Sequence, residues 1–189
     1  MTKQGLSDND KRILLDIART TIAKLLRREA TTPAAQGEPI LNCTRGCFVT
    51  IHQHGQLRGC IGNFEPRQPL FKSIAEMAVA AASKDPRFPP LQGADLSSIS
   101  LEISVLTPLE KIAEVEEIEV GRDGIYLERG YHRGVLLPQV ATAYGWDRTT
   151  FLEQTCHKAG LPADAWKSPE TTIYRFSAEI FNEEEFPPS

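Results

Sequence analysis

The segment CFVTIHQHGQLRGCIG, residues 47–62, constrains the fold of this chain more than any other stretch. Two runs rich in strand-forming residues flank His54-Gly55, and the glycine can supply the positive φ of a two-residue hairpin turn. The sequence therefore predicts an antiparallel hairpin. Counting outward from the turn gives the expected partners Gln53 with Gln56, Ile51 with Arg58, Val49 with Cys60, and Cys47 with Gly62.

The expected register assigns a direction to the thiol of Cys60. Directly paired residues share a face of a sheet, so Cys60 is expected beside Val49, Ile51 and Arg58. His52 is expected on the opposite face. The pattern therefore disfavours a Cys60–His52 dyad and makes Cys47 the nearer neighbour of Cys60.

The remaining segments contain helices and strands without strict βαβ alternation. In the first half of the chain, the expected elements are a helix over 8–29, a loop over 31–39 and a helix from 69 to 84. An alternating strand over 98–108, a helix or strand over 109–120 and a hairpin turning near Gly130 follow. The last expected elements are a short helix or turn over 137–146, a helix over 147–160 and a strand over 171–181. This order predicts an α+β fold with an antiparallel or mixed β-sheet flanked by helices. The length of 189 residues suffices for one domain over 1–189 with a real core, or for one domain with two lobes in one compact unit.

The net charge bears on the expected partners, and the N-terminal composition bears on the expected location of the protein. The net charge of −4 gives no basic surplus for nucleic acid or an anionic membrane, so neither is expected as the main partner. The first twelve residues, MTKQGLSDNDKR, contain no apolar run typical of a signal peptide. The sequence therefore predicts a cytoplasmic protein.

A reducing compartment would keep the cysteines as thiols; these are Cys43, Cys47, Cys60 and Cys156. The pair Cys43 and Cys47, with His52 and His54 nearby, matches no standard zinc spacing. The chain also lacks GxGxxG, P-loop, HExxH and GxSxG motifs. We therefore expect no metal site and no cofactor.

Cys60 is the candidate nucleophile. Arg58 on the same expected face would favour the thiolate, and Gly59 and Gly62 would let a ligand approach the backbone. The alternative is a small buried side chain in a strand where glycines admit a packed helix, since free cysteine is often buried.

Four arginines lie in segments flanked by glycine or proline: Arg45, Arg58, Arg67 and Arg87. If they converge on one cleft, they can bind a carboxylate or phosphate, with Asp85 as part of the polar wall. The alternative is ordinary surface charge and local pairing, such as Asp85 with Arg87. The predicted substrate-binding residues are Asp85, Arg87, Arg45, Gly59 and Gly62, beside the catalytic candidates Cys60 and Arg58.

Several motifs in this order resemble the AMMECR domain family: LRGCIG, DPRFPP, SVLTP, GVLLPQVA and FLEQTCHKAGL followed by Trp166. The resemblance covers roughly residues 8–186. It carries over positions in these motifs, namely Leu57, Arg58, Gly59, Cys60, Ile61, Gly62, Asp85, Pro86, Arg87, Phe88, Leu137, Pro138, Gln139, Cys156 and Gly160. His132 and His157 depart from the family pattern, which counts against a histidine-based mechanism.

The chain looks like protein A of the AmmeMemoRadiSam system. The resemblance implies an α+β fold of two lobes, a cytoplasmic setting and linkage to a Memo-like protein and a radical-SAM protein. It implies no established activity. The leading interpretation is an enzyme or accessory component that uses a cleft at LRGCIG. The alternative is a non-catalytic module that binds a partner protein or a small anionic ligand, and a nucleic-acid-related role ranks third.

Overall fold

The computed structural model describes residues 5–187. The N-terminal stretch used for the prediction about a signal peptide includes residues 1–4, which lie outside the described residues. Within residues 5–187, no helix is long and apolar enough to cross a membrane.

Helix α1 (Asp8–Leu26) begins where the sequence places acidic residues after a serine. The Ser7 hydroxyl accepts a hydrogen bond from the Asp10 backbone N–H at 3.2 Å, and the Asp10 carboxylate accepts one from the Ser7 N–H at 2.8 Å. This reciprocal capping satisfies two backbone donors that a helix start leaves open.

Replacing Ser7 by alanine is expected to lower the free energy of unfolding by about 1 kcal/mol, because one N-terminal donor loses its acceptor. Urea denaturation of Ser7→Ala against wild type measures the loss. Thr20→Val on the exposed side of α1 controls for hydroxyl removal away from the cap. Equal losses in the two variants would contradict a capping role for Ser7.

The first sheet has four strands: β1 (Cys47–Gln53), β2 (Gln56–Asn63), β3 (Ile99–Leu106) and β8 (Ala178–Asn182). Their order is β2-β1-β3-β8, so β2 is an edge strand. Alternate residues of β1 and β3 are buried in one core with α1 and helix α2 (Leu70–Ser83), among them Val49, Ile51, Leu101 and Ile103. The helices therefore cover one face of this sheet.

The second sheet has strands β4 (Glu110–Lys111), β5 (Gly124–Arg129), β6 (His132–Leu136) and β7 (Thr172–Phe176), in the order β4-β7-β5-β6. Two helices belong with it, α3 (Pro138–Tyr144) and α4 (Arg148–Lys158). Ile125 and Leu127 of β5 share a second core with Phe151 and Cys156 of α4.

The chain divides into two compact units, each with its own core. The first comprises the residues up to Leu106 and those from Glu179 onward, and the second spans Thr107–Ala178. Helices packed with antiparallel sheets confirm the predicted α+β class.

The C-terminal strand prediction was wrong in one respect. Residues 171–181 form β7 and β8, which belong to different sheets and are separated at Ser177. The Ser177 N–H donates to the Thr107 hydroxyl at 2.8 Å, and the Ser177 carbonyl accepts from the Thr107 N–H. This pairing breaks the run at a residue that the alternating pattern does not distinguish.

The hairpin turn is confirmed, since His54 and Gly55 both have positive φ, 52° and 76°. The register beyond the turn was predicted wrongly. Gln53 does pair with Gln56, but the register then shifts by one residue between Ile51 and His52, leaving Arg58 as the extra residue of a β-bulge. The observed partners are Cys47 with Asn63, Phe48 with Gly62, Val49 with Ile61, Thr50 with Cys60, Ile51 with Gly59, and His52 with Leu57.

The bulge has a packing reason at Gly59. A Cβ added at Gly59 would lie 2.3 Å from the backbone oxygen of Ala81 in α2. Gly59, which has no side chain, therefore faces the helix, and Cys60 consequently faces the other way.

Candidate functional site

The face of the first sheet that points away from α1 and α2 carries most of the candidate chemistry; we call it the outer face. Leu57, the direct partner of His52, is exposed on this face. The half-buried side chains of the outer face on β1–β3 are Phe48, Thr50, His52, Cys60, Ser100, Glu102 and Ser104. Thr50 is the direct partner of Cys60 on one side and of Glu102 on the other. Cys60, Thr50 and Glu102 therefore form one row across three strands, which we call the thiol row.

The expectation that Cys60 lies beside Val49 and Ile51 is overturned by this register. Those two residues belong to the buried core, whereas Cys60 shares the outer face with Thr50 and His52. The physical cause is the bulge at Arg58, which reverses the side of every residue beyond it. His52 is thus on the same face as Cys60, although no hydrogen bond joins the two within residues 5–187.

Cys60 is held at three atoms. The Thr50 hydroxyl donates to Cys60 Sγ at 3.2 Å. The Cys60 N–H donates to Asp85 Oδ2 at 2.9 Å, and Arg87 Nη2 donates to the Cys60 carbonyl at 3.4 Å. The position and direction of the thiol are therefore fixed on the edge strand.

Asp85 and Arg87 hold the Cys60 backbone from one side, and we call this pair the clamp on Cys60; the two residues also bond each other. The Arg87 guanidinium donates to both carboxylate oxygens, Nε to Oδ1 at 3.0 Å and Nη2 to Oδ2 at 2.7 Å. These bonds, with the N–H groups of Cys60 and Arg87, hold the pKa of Asp85 well below its ordinary value despite burial. The local Asp85–Arg87 pairing, given above as the alternative for these arginines, is thus present.

The four thiols differ in their surroundings. Cys47 is fully buried, and burial, with a smaller contribution from Glu76, raises its pKa to about 12. Burial also raises the pKa of Cys156 in the second core. Cys43 is exposed and Cys60 is half-buried, so these two are the thiols open to reagents.

Arg58 and Arg45 are placed differently from Arg87. Arg58 Nη1 donates to the Pro89 carbonyl at 2.7 Å, in the loop DPRFPP that carries Asp85 and Arg87. Arg45 donates to the Leu106 carbonyl at 2.8 Å and to Glu179 at 3.0 Å, with no contact to Cys60 in the described part of the chain. Cys60, Asp85 and Arg87 are thus brought together, Arg58 lies at the adjoining loop, and Arg45 belongs to a separate ion pair.

The space beside each of the two glycines of LRGCIG is occupied by other atoms of the protein. Besides the Ala81 oxygen at Gly59, the ring of Phe48 lies 2.0 Å from where a Cβ of Gly62 would be. Close packing therefore explains both glycines, and their predicted part in ligand approach stays a prediction.

Sequence reasoning missed Thr50 and Glu102 as site residues. The alternation of SISLEISVL does place Glu102 on the side away from the core, but only the bulge brings Thr50 and Glu102 into line with Cys60. Among residues 5–187, no group of three or more His, Cys, Asp and Glu side chains is arranged to hold a metal ion.

A family profile, several relatives and a solved structure each match almost the whole chain. The profile of the AMMECR1 family matches residues 15–181. The chain belongs to the AMMECR1 family. This AMMECR1-family chain is 48% identical over 187 residues to a protein of Methanothermobacter thermautotrophicus, with 95% of this chain and 97% of the relative covered.

Two further relatives extend the similarity. A protein of Thermococcus onnurineus is 45% identical over 193 residues, with 96% of the AMMECR1-family chain and 94% of the relative covered. The crystal structure of a Pyrococcus horikoshii protein matches with a TM-score of 0.78 and 39% identity, covering 97% of this chain and 96% of that one.

Proposed function

We propose that this AMMECR1-family protein acts on a small molecule through the Cys60 thiol, as an enzyme with Cys60 as nucleophile. The observation that carries the proposal is the three-point fixation of Cys60. A hydroxyl donor meets the sulfur at 3.2 Å, while Asp85 and Arg87 hold the backbone N–H and carbonyl. A fixed direction favours attack by a thiol, and a hydrogen-bond donor at the sulfur favours a thiolate over a thiol.

The roles of the other site residues follow from their contacts. Asp85 and Arg87 act as positioning residues, because their bonds reach the Cys60 backbone rather than its sulfur. The Arg58 side chain bonds the Pro89 carbonyl near the end of the same loop and is proposed to orient ligand there. Arg45 is proposed as a structural residue of the Glu179 pair.

The proposal is tested by labelling the folded protein with iodoacetamide at pH 7 and locating the adduct by peptide mass spectrometry. We expect labelling at Cys60 and Cys43 and none at Cys47 or Cys156, because a thiol needs both access and thiolate character to react. Thr50→Val is expected to slow labelling of Cys60 about fivefold, since about 1 kcal/mol of hydrogen bonding to the sulfur is lost.

Two controls belong to this experiment. Cys60→Ser identifies the adduct, and Ser104→Ala removes a hydroxyl from the same outer face without touching the thiol row. A folded wild-type protein in which Cys60 stays unlabelled would remove the nucleophile.

A second candidate function is binding of a small anion without catalysis. The Arg87 side chain is 54% exposed, so part of its guanidinium faces solvent while the rest bonds Asp85. In that case Cys60→Ser would leave ligand binding unchanged, whereas Arg87→Gln would weaken it. Equilibrium dialysis with inorganic phosphate compares these variants.

The cellular setting is proposed to be cytoplasmic, with a Memo-like protein and a radical-SAM protein as partners. All four cysteines are free thiols in the structure, which suits a reducing compartment. Cell fractionation tests the location. Co-purification with either partner tests the association, and recovery of neither would remove the accessory role.

A further inference from the structure

The arginines predicted to bind an anion are largely compensated within the protein. Arg87 makes a two-point ion pair with Asp85, and Arg45 pairs with Glu179. Arg58 bonds the Pro89 carbonyl and lies close enough to Asp95 to help lower its pKa, after the hydrogen bonds from Gln92 and Gln53. Each of these guanidinium groups therefore already has an acceptor within the protein.

Glu102 differs from these arginines in its hydrogen bonding. It lies on the outer face, half-buried, two strands from Cys60 and in the same row. Its carboxylate has no hydrogen bond and no ion pair among residues 5–187. A half-buried carboxylate without a partner is favourable only when water or a bound group supplies donors.

The distance between the two groups suits a small molecule. Adjacent strands lie about 4.8 Å apart, so the Cα atoms of Cys60 and Glu102 are separated by about 10 Å across β1. The side chains between and beside them include no lysine, arginine, aspartate or glutamate; they are Thr50, Phe48, His52, Ser100 and Ser104. Glu102 is therefore the uncompensated carboxylate nearest the thiol on this face.

We infer that the ligand of this site carries an amine or other cationic group that pairs with Glu102, while its reacting group lies at Cys60. This inference rests on the proposed function of Cys60 and names its substrate class, a small cationic molecule. Thr50 lies between the two ends and offers its hydroxyl to the sulfur.

Charged thiol reagents test the inference without knowledge of the natural substrate. In a Cys43→Ser background, Cys60 is treated with methanethiosulfonates bearing an aminoethyl, a methyl or a sulfonatoethyl group. The Cys60 thiolate attacks the sulfenyl sulfur, a protein–reagent disulfide forms, and methanesulfinate leaves with the electron pair of the broken S–S bond. The thiol proton goes to solvent.

We expect the aminoethyl reagent to modify Cys60 about tenfold faster than the sulfonatoethyl reagent, because one carboxylate attracts the first and repels the second. Glu102→Gln is expected to reduce this rate ratio severalfold. Glu29→Gln makes the same change in net charge at an exposed site in another region and should leave the ratio unchanged. Glu102→Ser repeats the test with a shorter side chain.

The outcomes separate the two proposals. Efficient labelling with equal rates, or a ratio that Glu102→Gln does not alter, overturns the cationic substrate and leaves the Cys60 nucleophile standing. A preference for the sulfonatoethyl reagent also overturns it and favours anion binding at Arg87. No labelling by any of the three reagents removes the nucleophile and this inference together.

Discussion

Replacing Gly59 by alanine is expected to destabilise the first unit by about 3 kcal/mol. The new methyl group would lie 2.3 Å from the Ala81 backbone oxygen, so helix α2 or strand β2 must move. A backbone atom of a packed helix cannot move away as the end of a flexible side chain can. Guanidinium denaturation, followed by the midpoint and the slope, measures the loss.

Gly37→Ala is the matched control for this substitution. Gly37 is exposed, and a Cβ added there meets nothing within 4 Å, so its change in unfolding free energy should stay within about 0.5 kcal/mol. If Gly59→Ala were as stable as Gly37→Ala, the close approach of α2 to β2 would be wrong. The explanation of the bulge would then fail with it.

Replacing Asp85 by asparagine is expected to lower the free energy of unfolding by about 2 kcal/mol at pH 7. Arg87 loses its ionised partner, and the Cys60 N–H loses a charged acceptor. Because the Arg87 side chain is 54% exposed, water recovers part of the lost pairing. The loss is therefore smaller than for a fully buried ion pair.

The contribution of Asp85 should depend on pH in one direction. Its pKa is lower in the folded protein than the unfolded value of about 3.9, so the folded state releases this proton more readily. The stabilisation is fully present above about pH 5 and is lost progressively as the pH falls below about 4. Unfolding curves of wild type and Asp85→Asn are recorded at pH 7, 5, 4 and 3. The difference in unfolding free energy between the two proteins should therefore become smaller as the pH falls from 5 to 3.

Asp164→Asn serves as the comparison, because Asp164 is exposed and its side chain makes no capping hydrogen bond. Its difference from wild type should be small at every pH. A gap between wild type and Asp85→Asn that stayed constant down to pH 3 would show that the charge of Asp85 does not stabilise the fold.

Local signals in the sequence predict most of the elements. Ser7 and the apolar spacing after it locate α1, and His54-Gly55 locates the hairpin turn. Asp147 locates the start of α4, where its carboxylate accepts from the Thr150 N–H at 2.8 Å. In each case the information lies within a few residues of the feature itself.

The predictions failed where distant segments decide the outcome. The register of β2 depends on Ala81 of α2, which lies more than twenty residues beyond Gly59, because its backbone leaves no room for a side chain at position 59. The alternation of residues within the hairpin sequence does not indicate that constraint. The faces of Cys60 and Arg58 were consequently assigned wrongly, and Thr50 was overlooked.

The arginines illustrate the same limit for charge. Proline and glycine around Arg45, Arg58 and Arg87 indicate that these side chains have fixed positions, but the sequence does not reveal which acceptors fix them. Asp85 is two residues from Arg87 and could be paired by inspection, whereas Glu179 is 134 residues from Arg45. Convergence of the arginines on one cleft therefore could not be decided before the fold was known.

The clamp on Cys60 has a further consequence for how other molecules can reach this protein. Edge strands offer free N–H and C=O groups to which an extended peptide can add as a new strand. At the centre of β2 those groups are taken by the Asp85 carboxylate and the Arg87 guanidinium. An incoming chain would have to displace a charged pair to extend the sheet there. The loop DPRFPP thus hinders strand addition and self-association at this edge of the first sheet.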